Sequence, residues 1–463
     1  MIKNIIFGPP GTGKTTELIS LLKRELLKHA PDKIAYCSYT REGSYQGRDR
    51  ALSAFPFYSV DDFPFFRTLH SLAFRDNGNS RGDVISKEDY REFSEKMGMR
   101  FTGYYTEDLK NDDDLYLFFD ELYRNNPACA QGYLPYLDSV KLKHVRTNYA
   151  EYKKQKGILD FTDMIEIFIE KNRALPVEVA FIDEAQDLTT LQWKMIFTAF
   201  RDCETLYIAG DDDQAIYQWS GADVDFFLNL KGNAKVLTHS YRLPEEILNF
   251  SKRISEQIQK RVNKSFDGTD KKGTIDTIGS LDEITIKPDE TYLFLSRNNW
   301  YLNGVETWLQ KNACYYSRKG KVSIKKEEID AVNLYEKIRK EKKRSDEDFL
   351  KLRRQLKRNK IDYGVPWFDA FDWKENKKMY VRDLIKQKTD LNNKNIRVET
   401  IHTAKGDEAD NVILLTDITK RVKENLNDNP DAEHRCFYVG ATRAKKNLFL
   451  YNGESRYNYC FYS

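Results

Sequence analysis

The chain has 463 residues, room for about three domains at ~150 residues each, and 32% of it is charged against ~25% in an average soluble domain. Its 75 basic and 72 acidic residues leave a net charge of only +3, so attraction to a polyanion must come from local patches rather than the overall balance. No run of ~18 apolar residues occurs, which excludes a membrane-spanning helix. The N-terminus has no signal-peptide pattern, and six scattered cysteines without a CxxC pair argue against a zinc site or disulfide framework and for a reducing compartment.

In chain order, 2–7 reads as a buried strand. It leads into a glycine-rich turn, a helix over 15–28 and a second strand over 33–38 after Pro31. This order predicts a parallel sheet with helices on its faces. Residues 74–149 are polar and locally acidic and are expected to form a mainly helical insertion. Strand patterning returns at 177–182 and 205–209. A second alternating block starts near 235 and includes 292–295. Segment 335–360 carries 12 Lys/Arg against 5 Asp/Glu with sparse apolar residues and reads as an exposed helix. Strands are predicted again at 396–400, 412–415 and 448–451. The expected class is α/β, in two blocks each interrupted by an insertion, with no fixed-period repeat.

Residues 8–15 read GPPGTGKT, a G-x-x-x-x-G-K-T loop between strand and helix. Gly8, Pro9, Pro10, Gly11, Thr12, Gly13, Lys14, Thr15 and Thr16 form the expected phosphate cradle. Backbone N–H groups of such a loop and the following helix N-terminus favour anions. Lys14 suits the β- and γ-phosphates, and the Thr15 hydroxyl suits Mg²⁺. VAFIDE at 179–184 ends a strand in two carboxylates. Asp183 is the expected Mg²⁺ partner, and Glu184 the expected general base for an attacking water. The expected cofactors are ATP and Mg²⁺. Further along, Gln214 in GDDDQ lies just past a strand, where a glutamine can sense a γ-phosphate. Tyr217 and Trp219 alternate on the following loop, offering faces on which bases stack, or simply core aromatics.

DEAQD, GDDDQAIYQWSGA, SYRLPEEIL, TIHTAKGDEADNV and FYVGATRAKKNL occur in this order. The set resembles superfamily 1 helicases of the UvrD/Rep/PcrA type, in a compact version. The resemblance implies two RecA-like P-loop NTPase domains with ATP between them. The expected layout is 1–73 with 150–230 as the first domain, 74–149 as its helical insertion, 231–299 with 396–463 as the second domain, and 300–395 as a short basic insertion. It also implies roles. Tyr241 would stack on adenine, Arg242 and Arg443 would reach the γ-phosphate, and Gly406 and Glu408 would lie near phosphate and ribose. Tyr39, Thr40, Thr68 and His70 would face single-stranded DNA. Asp160, Phe161 and Asp163 in LDFTDM match a further segment, structural or DNA-contacting.

The chain departs from the family pattern at Thr16 and Ser220, where arginines are common. The seven residues before Gly8 leave no room for the glutamine motif that reads adenine, so acceptance of other nucleoside triphosphates is expected. The wording of AKGDEAD resembles the 3′-to-5′ branch. The expected function is an ATP-dependent DNA helicase or translocase on single-stranded DNA and single/double-strand junctions, with RNA left open as the polymer. Alternatives are a DNA-stimulated ATPase that strips proteins without unwinding, and a P-loop switch acting on a protein. A cytoplasmic monomer or weak dimer is expected, without membrane contact and nucleoid-associated when on DNA, in a bacterium or a virus-infected cell. The 335–360 segment would grip duplex DNA or simply be solvated.

Overall fold

Strand β1 (Ile2–Phe7) sends Ile5 and Phe7 into one buried cluster and Ile6 into another, the period-two consequence of the pleat. In the computed structural model, residues 1–38, 41–105, 111–358 and 360–461 are described. The chain divides into two units, Met1–Lys271 with Asn425–Thr442, and Lys272–Glu424 with Arg443–Ser463.

In the first unit β1 is joined by β2 (Ile34–Ser38), β3 (Val179–Asp183), β4 (Thr205–Gly210) and β5 (Asn233–Val236). Among the described residues these five form a sheet in the order β2-β3-β4-β1-β5, every pairing parallel. Near-continuous burial of β2 and β3 is the mark of strands covered on both faces. Helices Lys14–Glu25 and Thr190–Ala199 supply part of that cover. A two-stranded pair, β6 (His239–Pro244) with β7 (Asp267–Thr269), belongs to the same unit.

The described residues of 74–149 are mainly helical, as expected, with helices Lys87–Met97, Asp114–Asn125 and Ser139–Lys156 around their own core of Phe93, Leu117, Phe118, Leu122 and Val145.

The second unit holds β8 (Thr274–Ile278), β9 (Tyr292–Ser296), β10 (Ser317–Arg318), β11 (Lys321–Val322), β12 (Ile396–Thr400), β13 (Ala409–Leu415) and β14 (Ala444–Tyr451). Their order is β11-β10-β12-β9-β13-β14-β8, parallel except for the β10–β11 hairpin. The expected α/β class, two parallel sheets flanked by helices, is the one observed.

Asn425–Thr442, laid out with the second domain, groups with the first unit, and three further stretches differ from the sequence layout in grouping or burial. Residues 231–271 fall in the first unit, because β5 adds to the edge of β1 and the following segment pairs with Asp211–Asp213. Helix Leu302–Lys311 packs Leu302, Val305 and Leu309 on the second sheet, and β10 and β11 extend that sheet. In the basic segment, Lys326–Glu341 is not an exposed helix. Val332, Tyr335 and Ile338 line one face and are buried with Leu352, Phe371 and Val381. Three apolar residues at helical spacing suffice to seat a helix whose other face is charged. Among the described residues, no helix is long and apolar enough to cross a membrane.

Candidate active site

The glycine loop joins β1 to helix Lys14–Glu25 at the carboxyl end of the parallel sheet, where open α/β sheets bind ligands. Gly11 and Gly13 both have left-handed backbone, φ 73° and 77°, which glycine adopts without steric cost. A Cβ on Gly11 would also collide with the Arg242 side chain and lie 2.7 Å from Ser240 Oγ. Thr12 Oγ1 donates to Pro9 O at 2.7 Å, and Lys14 Nζ donates to Gly8 O at 2.7 Å.

Thr15 Oγ1 donates to Asp183 Oδ2 at 3.0 Å, and the buried Tyr36 hydroxyl donates to the same oxygen at 2.8 Å. Asp183 is 2% exposed. Burial, and secondly the charge of Glu184, push its carboxyl up to about 6. A hydroxyl and a crowded carboxylate form a hard-oxygen donor pair suited to Mg²⁺, and a divalent cation would relieve that crowding. Glu184 follows with φ 54° and ψ 41°, an uncommon conformation for a non-glycine residue and one found at functional sites. Gln186 Nε2 donates to Glu184 Oε2 at 2.6 Å, and Gln186 Oε1 accepts from Asp211 N at 3.0 Å. Gln214 Nε2 donates to Asp211 Oδ2 at 2.6 Å. Lys14, Thr15, Asp183, Glu184 and Gln214 therefore come from three strand ends of one sheet, connected through Gln186 and Asp211.

β6 lies against the loop. Ser240 Oγ donates to Pro10 O at 2.8 Å, and Tyr241 N donates to Gly11 O at 2.9 Å. This places Arg242 beside Gly11 and leaves Tyr241 70% exposed, its ring meeting His239 edge-on at 4.8 Å. Gly406, Glu408 and Arg443 belong to the second unit. Gly406 takes φ 92°, Lys445 pairs with Glu408 at 3.6 Å, and the buried Arg443 donates from Nη1 to Asp407 O at 3.4 Å.

The residues expected on DNA are distributed unevenly. Tyr39 and Thr40 lie outside the described residues. Thr68 caps helix Leu69–Asp76, its Oγ1 accepting from Ser71 N at 3.3 Å. Half-buried His70 meets the ring of Phe161 edge-on at 5.6 Å, and Phe161 is 55% exposed. Burial pulls the His70 imidazole down to about 4, so at neutral pH it acts as a neutral ring rather than a phosphate-binding cation. Trp219 packs into the helical insertion's core with its ring stacked on Phe118, centroids 6.2 Å apart. One face of that indole is thus turned to protein. Asp160 and Asp163 form a capping box at the start of helix Phe161–Lys171 and pair with Arg124 and Lys153.

Sequence reading missed Tyr36, Gln186, Arg261 and Lys264. Gln186 sits inside DEAQD and was within reach. Nothing local marks Arg261 or Lys264, whose carboxylate partners lie about fifty positions earlier in the chain.

A profile of the UvrD/REP helicase N-terminal domain matches residues 2–235, and one of the UvrD-like helicase C-terminal domain matches 386–454. The chain belongs to the UvrD/Rep helicase family. A probable DNA helicase II homolog of Mycoplasma pneumoniae is 24% identical over 301 residues, 56% of this chain and 41% of that protein. The ATP-dependent DNA helicase Rep of Buchnera aphidicola subsp. Baizongia pistaciae is 29% identical over 150 residues, 29% of this chain and 22% of the relative. The ATP-dependent DNA helicase PcrA of Staphylococcus aureus is 28% identical over 152 residues, 30% and 21% of the two chains. The aligned part thus spans under half the length of each of these relatives.

Proposed function

We propose that the chain is an ATP-dependent DNA helicase or translocase that moves 3′-to-5′ along single-stranded DNA. The observation that carries the hydrolytic part is the 3.0 Å contact between Thr15 and Asp183 beside Glu184. In this reading Lys14 and the loop N–H groups would hold the phosphates, and Thr15 and Asp183 would hold Mg²⁺. Such a cation would supply positive charge to offset that of the phosphates. Glu184 takes the proton of the attacking water, and Gln214, expected from the sequence to sense the γ-phosphate, is assigned here to that water, since Asp211 takes its NH₂ end. Arg242 stabilises charge on the transferred phosphoryl group with its planar fork, and the resemblance gives Arg443 the same task. The Phe161–His70 aromatic face and Tyr217 would meet unstacked bases, while lysines and arginines contact phosphates without sequence preference.

The test is the steady-state ATPase rate with and without single-stranded DNA, using Lys14→Ala as the blank. Strong stimulation that disappears in the variant supports the reading; hydrolysis indifferent to DNA and RNA turns it toward a protein-directed switch. Tailed duplexes then test polarity. Unwinding confined to 5′-tailed substrates overturns the 3′-to-5′ assignment, and translocation without strand separation selects the stripping ATPase.

Phe161→Ala is expected to weaken single-stranded DNA binding by ~1–3 kcal/mol, the worth of one base–aromatic stack. Fluorescence anisotropy with a labelled oligonucleotide measures this, and unchanged affinity would assign Phe161 to packing against His70.

A further inference from the structure

Three consecutive aspartates, Asp211, Asp212 and Asp213, are buried in the turn that precedes Gln214, their side chains at most 1% exposed. Burying like charges together is costly unless cations and hydrogen bonds answer them. Lys264, fully buried, places Nζ 3.2 Å from Asp211 Oδ1 and 3.0 Å from Asp213 Oδ2, and pairs with Asp212 as well. Arg261 grips Asp213 with two bonds of 2.9 and 2.6 Å. Val262 N donates to Asp212 Oδ2 at 2.8 Å, and Arg435 Nε donates to Asp212 O at 2.8 Å.

We propose that Lys264 is a positioning residue for ATP hydrolysis, its buried ammonium locking the Asp211–Asp213 turn so that Asp211 presents Gln214 in a single amide orientation. The inference rests on the hydrolytic reading above. An ionised carboxylate only accepts hydrogen bonds. Asp211 Oδ2 therefore takes the NH₂ end of Gln214 at 2.6 Å, which turns the amide's carbonyl end away, the end suited to accept from a water. Burial alone would favour a protonated Asp211, able to donate and to tolerate either amide orientation. The Lys264 ammonium, with Lys14 behind it, outweighs burial and holds that carboxyl below its usual range. The three carboxylates in turn keep Lys264 protonated, above its usual range despite burial. The backbone N–H of Asp211 is held by Gln186, which also binds Glu184. The lock thus reaches both side chains assigned to the water. It is carried by the segment that begins with Ser240 and Tyr241 on the glycine loop, so one stretch of chain braces the phosphate loop and the glutamine turn together.

The experiment is ATPase kinetics on Lys264→Met, Lys264→Arg, Gln214→Ala and the double variant Lys264→Met/Gln214→Ala, with binding of a fluorescent ADP measured in parallel. Lys264→Met is expected to lower kcat by roughly tenfold or more with KM and ADP affinity within about twofold. Lys264→Arg restores most of the loss, and Lys264→Met adds less than about twofold once Gln214 is gone. If Lys264→Met fails to fold, Lys264→Met/Asp212→Asn, which removes one carboxylate charge along with the ammonium, takes its place in the same cycle. Losses that multiply with those of Gln214→Ala, or a rise in KM at unchanged kcat, overturn the lock while leaving the hydrolytic reading intact. A wild-type chain that binds ATP without hydrolysing it overturns both.

Discussion

Glu184→Gln is expected to reduce ATP turnover by on the order of 10²- to 10⁴-fold, the usual worth of a positioned general base, while nucleotide binding stays within about twofold. The substitution is nearly isosteric and keeps an oxygen able to accept from Gln186 Nε2, which now donates to Glu184 Oε2 at 2.6 Å. What it removes is the group that can take a proton. The backbone at Glu184, φ 54° and ψ 41°, costs on the order of 1–3 kcal/mol for a non-glycine residue. The residue nevertheless stands where the buried strand β3 ends, one position after Asp183. Single-turnover hydrolysis with a fluorescent ATP separates the two effects. A loss below about tenfold would move the base elsewhere, whereas a parallel loss of binding would make Glu184 part of the phosphate cradle.

The second large effect is on folding. Arg124→Ala is expected to destabilise the first unit by about 2–3 kcal/mol, between the worth of a screened surface pair and that of a fully buried one, because removing the guanidinium from a partly buried network leaves its carboxylates uncompensated. Arg124 is 13% exposed and meets Asp160 at 3.0 Å, Asp163 at 2.5 Å and Glu166 at 2.6 Å. Lys153 binds Asp160 and Asp163 from helix Ser139–Lys156. The network ties two helices of the insertion to helix Phe161–Lys171, which carries the aromatic proposed to meet DNA. Arg124→Lys should recover only part of the loss, since a point charge cannot make the guanidinium's several directed bonds. Urea denaturation measures the change, and single-stranded DNA binding by the folded fraction should weaken with it. A shift under about 1 kcal/mol would mean the pairs behave like screened surface bridges.

Much of this was legible in the sequence, for a reason that differs from residue to residue. The glycine loop could be read directly because its chemistry is local: eight consecutive residues set backbone conformation, charge and hydroxyl within one turn, and nothing distant is needed to specify them. The strand leading into Asp183 and Glu184 was equally plain, since a parallel strand covered on both faces is a continuous apolar run that stops where carboxylates begin. The helical character of 74–149 followed from polarity without strand patterning. By contrast, Trp219 stands in an aromatic loop that invites a base, and only the tertiary structure shows Phe118 beneath its ring. The 335–360 segment has enough charge to suggest a solvated helix, yet Tyr335 and Ile338 are buried, because burial depends on which face a neighbour covers and not on average composition.

The sequence by itself determined the α/β class, the glycine loop between strand and helix, the carboxylates that end β3 and the family, all properties written in short runs or in the order of motifs. The tertiary structure alone decided that 231–271 groups with the first unit, that Tyr36 and Thr15 share one oxygen of Asp183, and that Lys264 answers three aspartates distant in the chain. The physical reason is common to these cases. A buried charge is tolerable only beside its partner, and the partner is chosen by the packing of strands and helices in three dimensions, which leaves no periodicity or spacing in the chain to be read.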